Sequence, residues 1–247
     1  METQDSNILL VSTKSLLPVP RYLQVNYWWA YVHPRAVYIF ERQWLVNLIL
    51  WGNYTRLCNA VLGGYEYQLS GETLQIACAY GDLTPRLAAC VPADGLLEVV
   101  DILRVQLDNL AKKLPKTASL KLLQMDSSAL KMEDSRFDRA LLFFLLHEQP
   151  EEVRKKTLAE ALRVIRPGGT LTIVDYAPPS RFNPLRYLWC PLIQVLEPFA
   201  GDLFRHPINK WLPDEVGIVT LSERRFFGGL YQMLTLQVIE KSAKLID

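Results

Sequence analysis

Between residues 73 and 176 the chain alternates short apolar runs with longer amphipathic ones, and nothing else in it restricts the fold as much. Strand-like runs fall at 73–78, 96–101, 119–125, 137–146 and 170–176. Helical spacing of apolar residues fills 83–89, 105–113 and 150–165, with a short turn near 127–131. Strands separated by helices return to one sheet by crossover connections, so the sheet is parallel with helices on its faces. Two more strand-like runs, 219–227 and 232–240, are joined at Gly228-Gly229. So tight a turn makes a hairpin, and at least one edge strand must run antiparallel. The expected architecture is a doubly wound, Rossmann-like α/β fold. Its seven-stranded sheet is mostly parallel and ends in an antiparallel hairpin.

The helix at 150–165 is the best punctuated. Pro150 suits a first turn, Glu151 and Glu152 complement the helix dipole, and Arg166-Pro167-Gly168-Gly169 stops it. Ahead of the sheet, residues 1 to about 26 read as a loose leader with Pro18 and Pro20. Residues 34–62 read as helical, broken near Gly52 and ended by Gly63 and Gly64. The expected organisation is an N-terminal leader and helical lid over 1–68 and an α/β domain over 69–247, one globular unit overall.

Of the 247 residues half are hydrophobic and 21% charged, a composition that folds. Twenty-seven basic residues against 26 acidic ones give no basic excess to support a nucleic-acid partner. No run approaches the roughly 20 apolar residues of a membrane span. Glu2 and Asp5, without an Arg-rich pattern, argue against a secretory signal and only weakly allow a mitochondrial presequence. Four widely spaced cysteines with no CxxC pair read as reduced thiols in an intracellular compartment. A mean hydropathy of +0.06 hints at a lipophilic ligand or a membrane surface, although a large core gives the same value.

In a doubly wound sheet, ligands sit beyond the carboxyl ends of the strands. Four features converge there. The first is the loop in LQIACAYGDLT, residues 74–84, with Ala77, Ala79, Gly81 and Asp82. The second is Asp101, followed by Ile102. It ends the next strand 20 residues after Gly81, where an acid accepts ribose hydroxyls. Asp126-Ser127 ends the third strand, and His147-Glu148-Gln149 the fourth. Asp101 could instead cap the helix after it, and Asp126 could be an ordinary N-cap.

This order is similar to the class I S-adenosylmethionine-dependent methyltransferase fold, from about residue 69 to the C-terminus. FDRALLFFLLHEQP and RVIRPGGTLTIVDY look like strands four and five of its quinone-pathway branch. A closer resemblance is carried by HPRAVYIFERQWLVNLILWGNYTRL, LQIACAYGDLT, MDSSAL, LLFFLLHEQPEEVRKKTLAEALRVIRPGG, IVDY and PLRYLWCPLIQVLEPFAGDL. Together these resemble the rhodoquinone-biosynthesis enzymes. The resemblance implies replacement of a ring methoxy group of ubiquinone by an amino group, with S-adenosylmethionine as amine donor and manganese assisting.

Within that resemblance, Gln75 stands where methyltransferases of this fold carry an acid that holds the methionine ammonium. A carboxylate would keep that nitrogen protonated and unable to attack, whereas an amide brings no charge. Ala77 and Ala79 replace glycines and disfavour positive φ, so the loop is expected to be reshaped or the amino-acid arm displaced. The same substitutions are also compatible with drift in a loop that still transfers methyl groups.

Manganese prefers oxygen and imidazole ligands, and the strand ends offer His147, Glu148 and Asp175, with Asp202 and His206 further on. Leu-His-x-x-Pro turns without metal are the plainer alternative. Tyr54, with Arg56 nearby, could orient cofactor or quinone, or could be a core-edge tyrosine. Residues 178–213, rich in Leu, Trp and Phe and carrying Arg181, Arg186 and Arg205, suit peripheral contact with an inner membrane, on the bacterial cytoplasmic or the mitochondrial matrix side. They would equally suit a lid packed on the sheet. Two other functions stay open, an ordinary methyltransferase acting on a quinone or phenolic precursor and a non-catalytic lipid-binding protein of the same fold.

Overall fold

The computed structural model describes residues 8–11, 17–28, 39–78, 80–114 and 120–241. Contacts concentrate in two units, Met1–Asp126 and Ser127–Asp247.

In the first unit, four parallel strands lie in the order β1-β4-β3-β2. They are β1 (Ile8–Val11), β2 (Glu72–Ile76), β3 (Leu96–Asp101) and β4 (Leu120–Gln124). β2 and β3 are buried along nearly their whole length, as strands covered on both faces must be. Their register sets Gln75 opposite Val99, and Asp101 opposite Gln124. The helices are α1 (Arg21–Asn26), α2 (Gln43–Ile49), α3 (Tyr54–Gly64), α4 (Leu83–Ala89) and α5 (Arg104–Ala111).

β1 lies where a loose leader was expected. Four apolar residues are too few to show a period, and parallel pairing of Ile8 with Leu120 is what makes them a strand. The helical stretch behaves as its spacing predicts, although residues 29–38 fall outside the described residues. α2 and α3 are separated at Gly52, whose φ of 75° no helix accommodates.

In the second unit the order is β5-β6-β8-β7. β5 (Phe137–Phe143) runs parallel to β6 (Ile165–Tyr176), and β6 runs antiparallel to β8 (Tyr231–Lys241), which pairs antiparallel with β7 (Val216–Phe226). α6 (Glu151–Val164) joins β5 to β6, starting after Pro150 with both glutamates in its first turn. The stop signal 166–169 lies within β6, where the register with β5 steps from Phe137↔Ile165 to Arg139↔Thr170. Gly169 allows the close approach, since a Cβ there would sit 2.7 Å from the Asp138 carbonyl oxygen. α7 (Trp189–Leu196) and α8 (Ala200–Arg205) fill the long connection to β7, and Phe226 faces Tyr231 across the expected hairpin. Among the described residues no helix is long and apolar enough to cross a membrane.

Candidate active site

Each unit carries a polar centre at the carboxyl ends of its strands. In the first, Gln75 is fully buried. Its Nε2 donates to the Ala77 carbonyl at 3.0 Å. That acceptor fixes which end of the amide is nitrogen. The other end, Oε1, is buried without a hydrogen-bond partner. An acceptor left unsatisfied in the interior costs about 1–3 kcal/mol, so its natural complement is a donor on a ligand.

Ala77 holds φ at 72° while its N–H bonds the Val100 carbonyl at 2.8 Å. The reshaping expected of this loop does not occur at Ala77, which adopts the left-handed conformation that a glycine would. The Cβ strain is about 1–2 kcal/mol. Ala77→Gly is therefore expected to raise the unfolding free energy by on the order of 1 kcal/mol. Urea denaturation checks this, and an unchanged or lower value would show that the backbone bears no strain. Ala79 lies outside the described residues.

Tyr54, a candidate for orienting cofactor or quinone, is buried against the loop. Its buried hydroxyl accepts the N–H groups of Asp82 at 2.8 Å and Leu83 at 3.0 Å, and donates to the Tyr80 carbonyl at 3.2 Å. With two acceptor bonds and one donor bond, a phenol is fully used. Burial first, then the neighbouring Cys58 and Asp82, push its pKa well up, so it stays neutral. Tyr54 is a positioning residue that caps α4 and shapes the loop. Gly81 is required beside it, because a Cβ there would lie 2.4 Å from the Tyr54 hydroxyl. Arg56 is exposed.

Three residues of this centre were not foreseen. Glu41 accepts from the Gly81 N–H at 3.3 Å and from Asn109 Nδ2 at 2.6 Å, and it pairs with Lys113. Lys113 Nζ also donates to the Gly81 carbonyl at 2.8 Å. Glu41 lies 68 and 72 residues from Asn109 and Lys113, and each reads as a solvated charge or amide on a helix. The Asp82 side chain meets Gln43 Nε2 at 3.2 Å.

Asp101 accepts from the Cys78 N–H at 2.8 Å and the Leu103 N–H at 2.7 Å, one through each oxygen. It therefore does cap the following turn, and it also ties that turn to the β2 loop. Each oxygen retains a lone pair for a ribose hydroxyl. Burial, only partly offset by these two amides, raises its pKa to about 6. A hydroxyl-bearing ligand needs the ionised form. Cofactor affinity is thus expected to fall about tenfold from pH 7 to pH 5, and the fall should vanish in Asp101→Asn. Calorimetric titration at both values checks this, and a pH-independent affinity in the parent would contradict it. Ile102 and Asp126 are half-buried beside this carboxylate's strand end, and the Ile102 carbonyl accepts from Gln124 Nε2 at 3.0 Å.

In the second unit, Ser127 does not stand open to a ligand. Its hydroxyl receives Gln149 Nε2 at 3.0 Å and lies 3.0 Å from the Thr157 hydroxyl, joining the turn after β5 to α6. Buried Arg154 braces the same turn, donating to the carbonyls of Leu146, Gln149 and Phe199.

On that turn, His147 is buried with Nδ1 2.9 Å from Asp175 Oδ1. Asp175 also accepts the N–H groups of Leu146 and Tyr176, both at 2.8 Å. His147 Nε2 faces Glu148 at 3.7 Å and Glu197 at 3.6 Å. Burial alone would lower the imidazole pKa, but the charges of Asp175, Glu197 and Glu148 outweigh it and raise it to about 10. The three carboxylates thus favour the protonated ring. Both Asp175 oxygens are committed to N–H donors. The expected ligand set of His147, Glu148 and Asp175 does not fit a resident manganese ion, and no grouping among the described residues does. Nor do the later candidates join it: Asp202 pairs with Arg154 and Arg205, while His206 packs edge-on against Trp211.

Comparison with known proteins agrees with this layout. Residues 73–169 match the family model for a methyltransferase domain. The ubiquinone/menaquinone biosynthesis C-methyltransferase UbiE of Marinomonas sp. (strain MWYL1) is 28% identical over 178 residues, 64% of this chain and 70% of that protein. Its counterpart in Idiomarina loihiensis is 31% identical over 134 residues, 53% of this chain and 50% of that protein. A demethylmenaquinone methyltransferase of Bacillus licheniformis is 24% identical over 143 residues, 57% of this chain and 60% of that protein. The chain thus spans between half and 70% of the lengths of these three.

Among solved structures, a SAM-dependent methyltransferase from Aquifex aeolicus superposes with a TM-score of 0.56 at 17% identity, covering 84% of this chain and 99% of that one. An O-methyltransferase family protein from Burkholderia thailandensis gives 0.62 at 16% identity, covering 85% and 61%. The chain has the class I methyltransferase fold, mostly parallel with antiparallel C-terminal strands, and within it residues 73–169 are similar to a methyltransferase domain.

Proposed function

We propose that this methyltransferase-fold chain binds S-adenosylmethionine and replaces a ring methoxy group of a ubiquinone-type lipid with an amino group, as in rhodoquinone formation. The observation that carries the reading is Gln75, a neutral amide with an open buried oxygen. The site suits the cofactor: Gln75 Oε1 offers an acceptor to an α-amine, Asp101 offers lone pairs to a ribose, and Gly81 keeps the loop close to Tyr54. Bound there, S-adenosylmethionine would supply its α-amino nitrogen: a ring C–N bond would form as methoxide leaves with the amine's proton, and the N–Cα bond would then break, the nitrogen keeping the electron pair and gaining a proton while the donor loses a β-proton to form an alkene. Gln75 binds that nitrogen without adding negative charge, so the amine loses its proton more readily than beside a carboxylate.

A second reading is methyl transfer to the ring, favoured by the quinone methyltransferases this chain resembles. The mass of the lipid product separates the two. Amination exchanges methoxy for amine, and methylation adds one methylene.

The lipid substrate implies work at an inner-membrane surface. Supporting this are Phe182, Tyr187, Leu188 and Val195, exposed by 81, 73, 68 and 79%. Arg181 and Arg186 lie over the Phe182 and Tyr187 rings, so cations border the apolar surface. Flotation with anionic vesicles is expected to carry the parent chain upward and to leave Phe182→Ser/Leu188→Ser/Val195→Ser in the soluble fraction. Equal flotation of both would remove this face from the account.

A further inference from the structure

Among the buried polar atoms of the second unit that lack a hydrogen-bond partner are the Tyr231 hydroxyl and Glu197 Oε2. Tyr231 is fully buried on β8. Glu197 directly follows α7, and its N–H bonds the Ile193 carbonyl at 2.6 Å. His147 Nε2 lies 3.6 Å from Glu197 Oε2, beyond hydrogen-bond reach. Tyr176 links the two: its ring stacks on Tyr231 at 5.9 Å and lies 4.9 Å from the His147 ring that faces Glu197. Leaving one such atom unpaired is costly, and two in one cluster are two unmet hydrogen bonds pointing to a ligand.

The walls around the pair are aromatic. Phe144 meets Tyr231 edge-on at 5.8 Å, Phe227 stacks on it at 6.1 Å, and Tyr176 stacks at 5.9 Å. Leu192, Val195 and Leu196, on the helix that ends at Glu197, are exposed. An apolar surface therefore runs along α7 to a polar pair lined by rings. That profile suits a flat ring bearing oxygen substituents and an apolar tail.

We propose that Tyr231 and Glu197 form the polar end of the acceptor-ring site, with Tyr231 donating to a ring oxygen and Glu197 accepting from a ring hydroxyl. This deepens the quinone reading above and rests on it. The pair also makes a redox-specific demand. A ring oxygen accepts from Tyr231 whether the ring is quinone or hydroquinone, whereas only the reduced ring has a hydroxyl to offer Glu197.

The test is binding of a short-tailed, water-soluble ubiquinone analogue and of its hydroquinone to the full chain, by calorimetry, in the parent, Tyr231→Phe and Glu197→Gln. S-adenosylmethionine affinity serves as the fold control and is expected to stay at the parent value. Tyr231→Phe should weaken both ring forms about tenfold, and Glu197→Gln should weaken the hydroquinone by a similar factor and the quinone little. If the parent binds both forms and both variants bind them equally well, the ring site is elsewhere while the quinone reading stands. If the parent binds neither form, both readings fall together.

Discussion

Gln75→Glu is expected to slow amination by about 10-fold to 1,000-fold at neutral pH while cofactor binding is kept or tightened. The side chain is fully buried at the end of β2, with an oxygen free for a ligand donor. Glutamate would put a negative charge at that oxygen. A carboxylate in contact raises an amine's pKa by about 1–3 units, from an ordinary α-amino value near 8. Each unit removes about nine-tenths of the neutral, nucleophilic amine at pH 7. The loss should shrink as pH rises through the new value. The pH profile of aminated product for parent and variant checks this, and matching profiles would show that Gln75 does not govern the amine's proton.

Asp175→Ala is expected to lower stability by about 3–5 kcal/mol, enough to unfold many domains of this size. The carboxylate is fully buried and receives the Leu146 and Tyr176 N–H groups and His147 Nδ1. Alanine would orphan those donors and leave an imidazolium without its nearest counter-charge. Chemical denaturation measures the loss, and a change below about 1 kcal/mol would contradict it. The same pair makes stability depend on pH. The His147 pKa is raised in the folded state, from 6.5 to about 10. Its contribution is therefore complete below 6.5 and is lost as pH rises through 10. Melting temperature should fall across that window in the parent, and less steeply in Asp175→Asn.

The parts of the fold with a strong local period were legible. α4 and β3 coincide with the runs 83–89 and 96–101, because their patterns are long and cleanly punctuated. β1 was not, since four residues of ILLV take their state from β4 rather than from their own spacing. In the site, Gln75, Ala77, Gly81 and Asp101 could be placed because position along one strand–turn–helix unit fixes where such residues go. Tyr54 was placed near the loop but not in its role, which depends on amides 28 and 29 residues away. Arg154 was invisible: within EEVRKK it reads as a solvated charge, yet it is buried and lies over Trp211 at 4.4 Å. Glu41, Lys113, Glu197 and Tyr231 share that difficulty. Each acquires meaning only from a partner brought close by folding.

The most direct test of the amine-transfer account is incubation of the full chain with ubiquinone and S-adenosylmethionine labelled with heavy nitrogen at its α-amine, followed by mass spectrometry of the recovered lipid. The account predicts heavy nitrogen on the ring and one methoxy group fewer. A lipid that keeps both methoxy groups and carries no heavy nitrogen would contradict it.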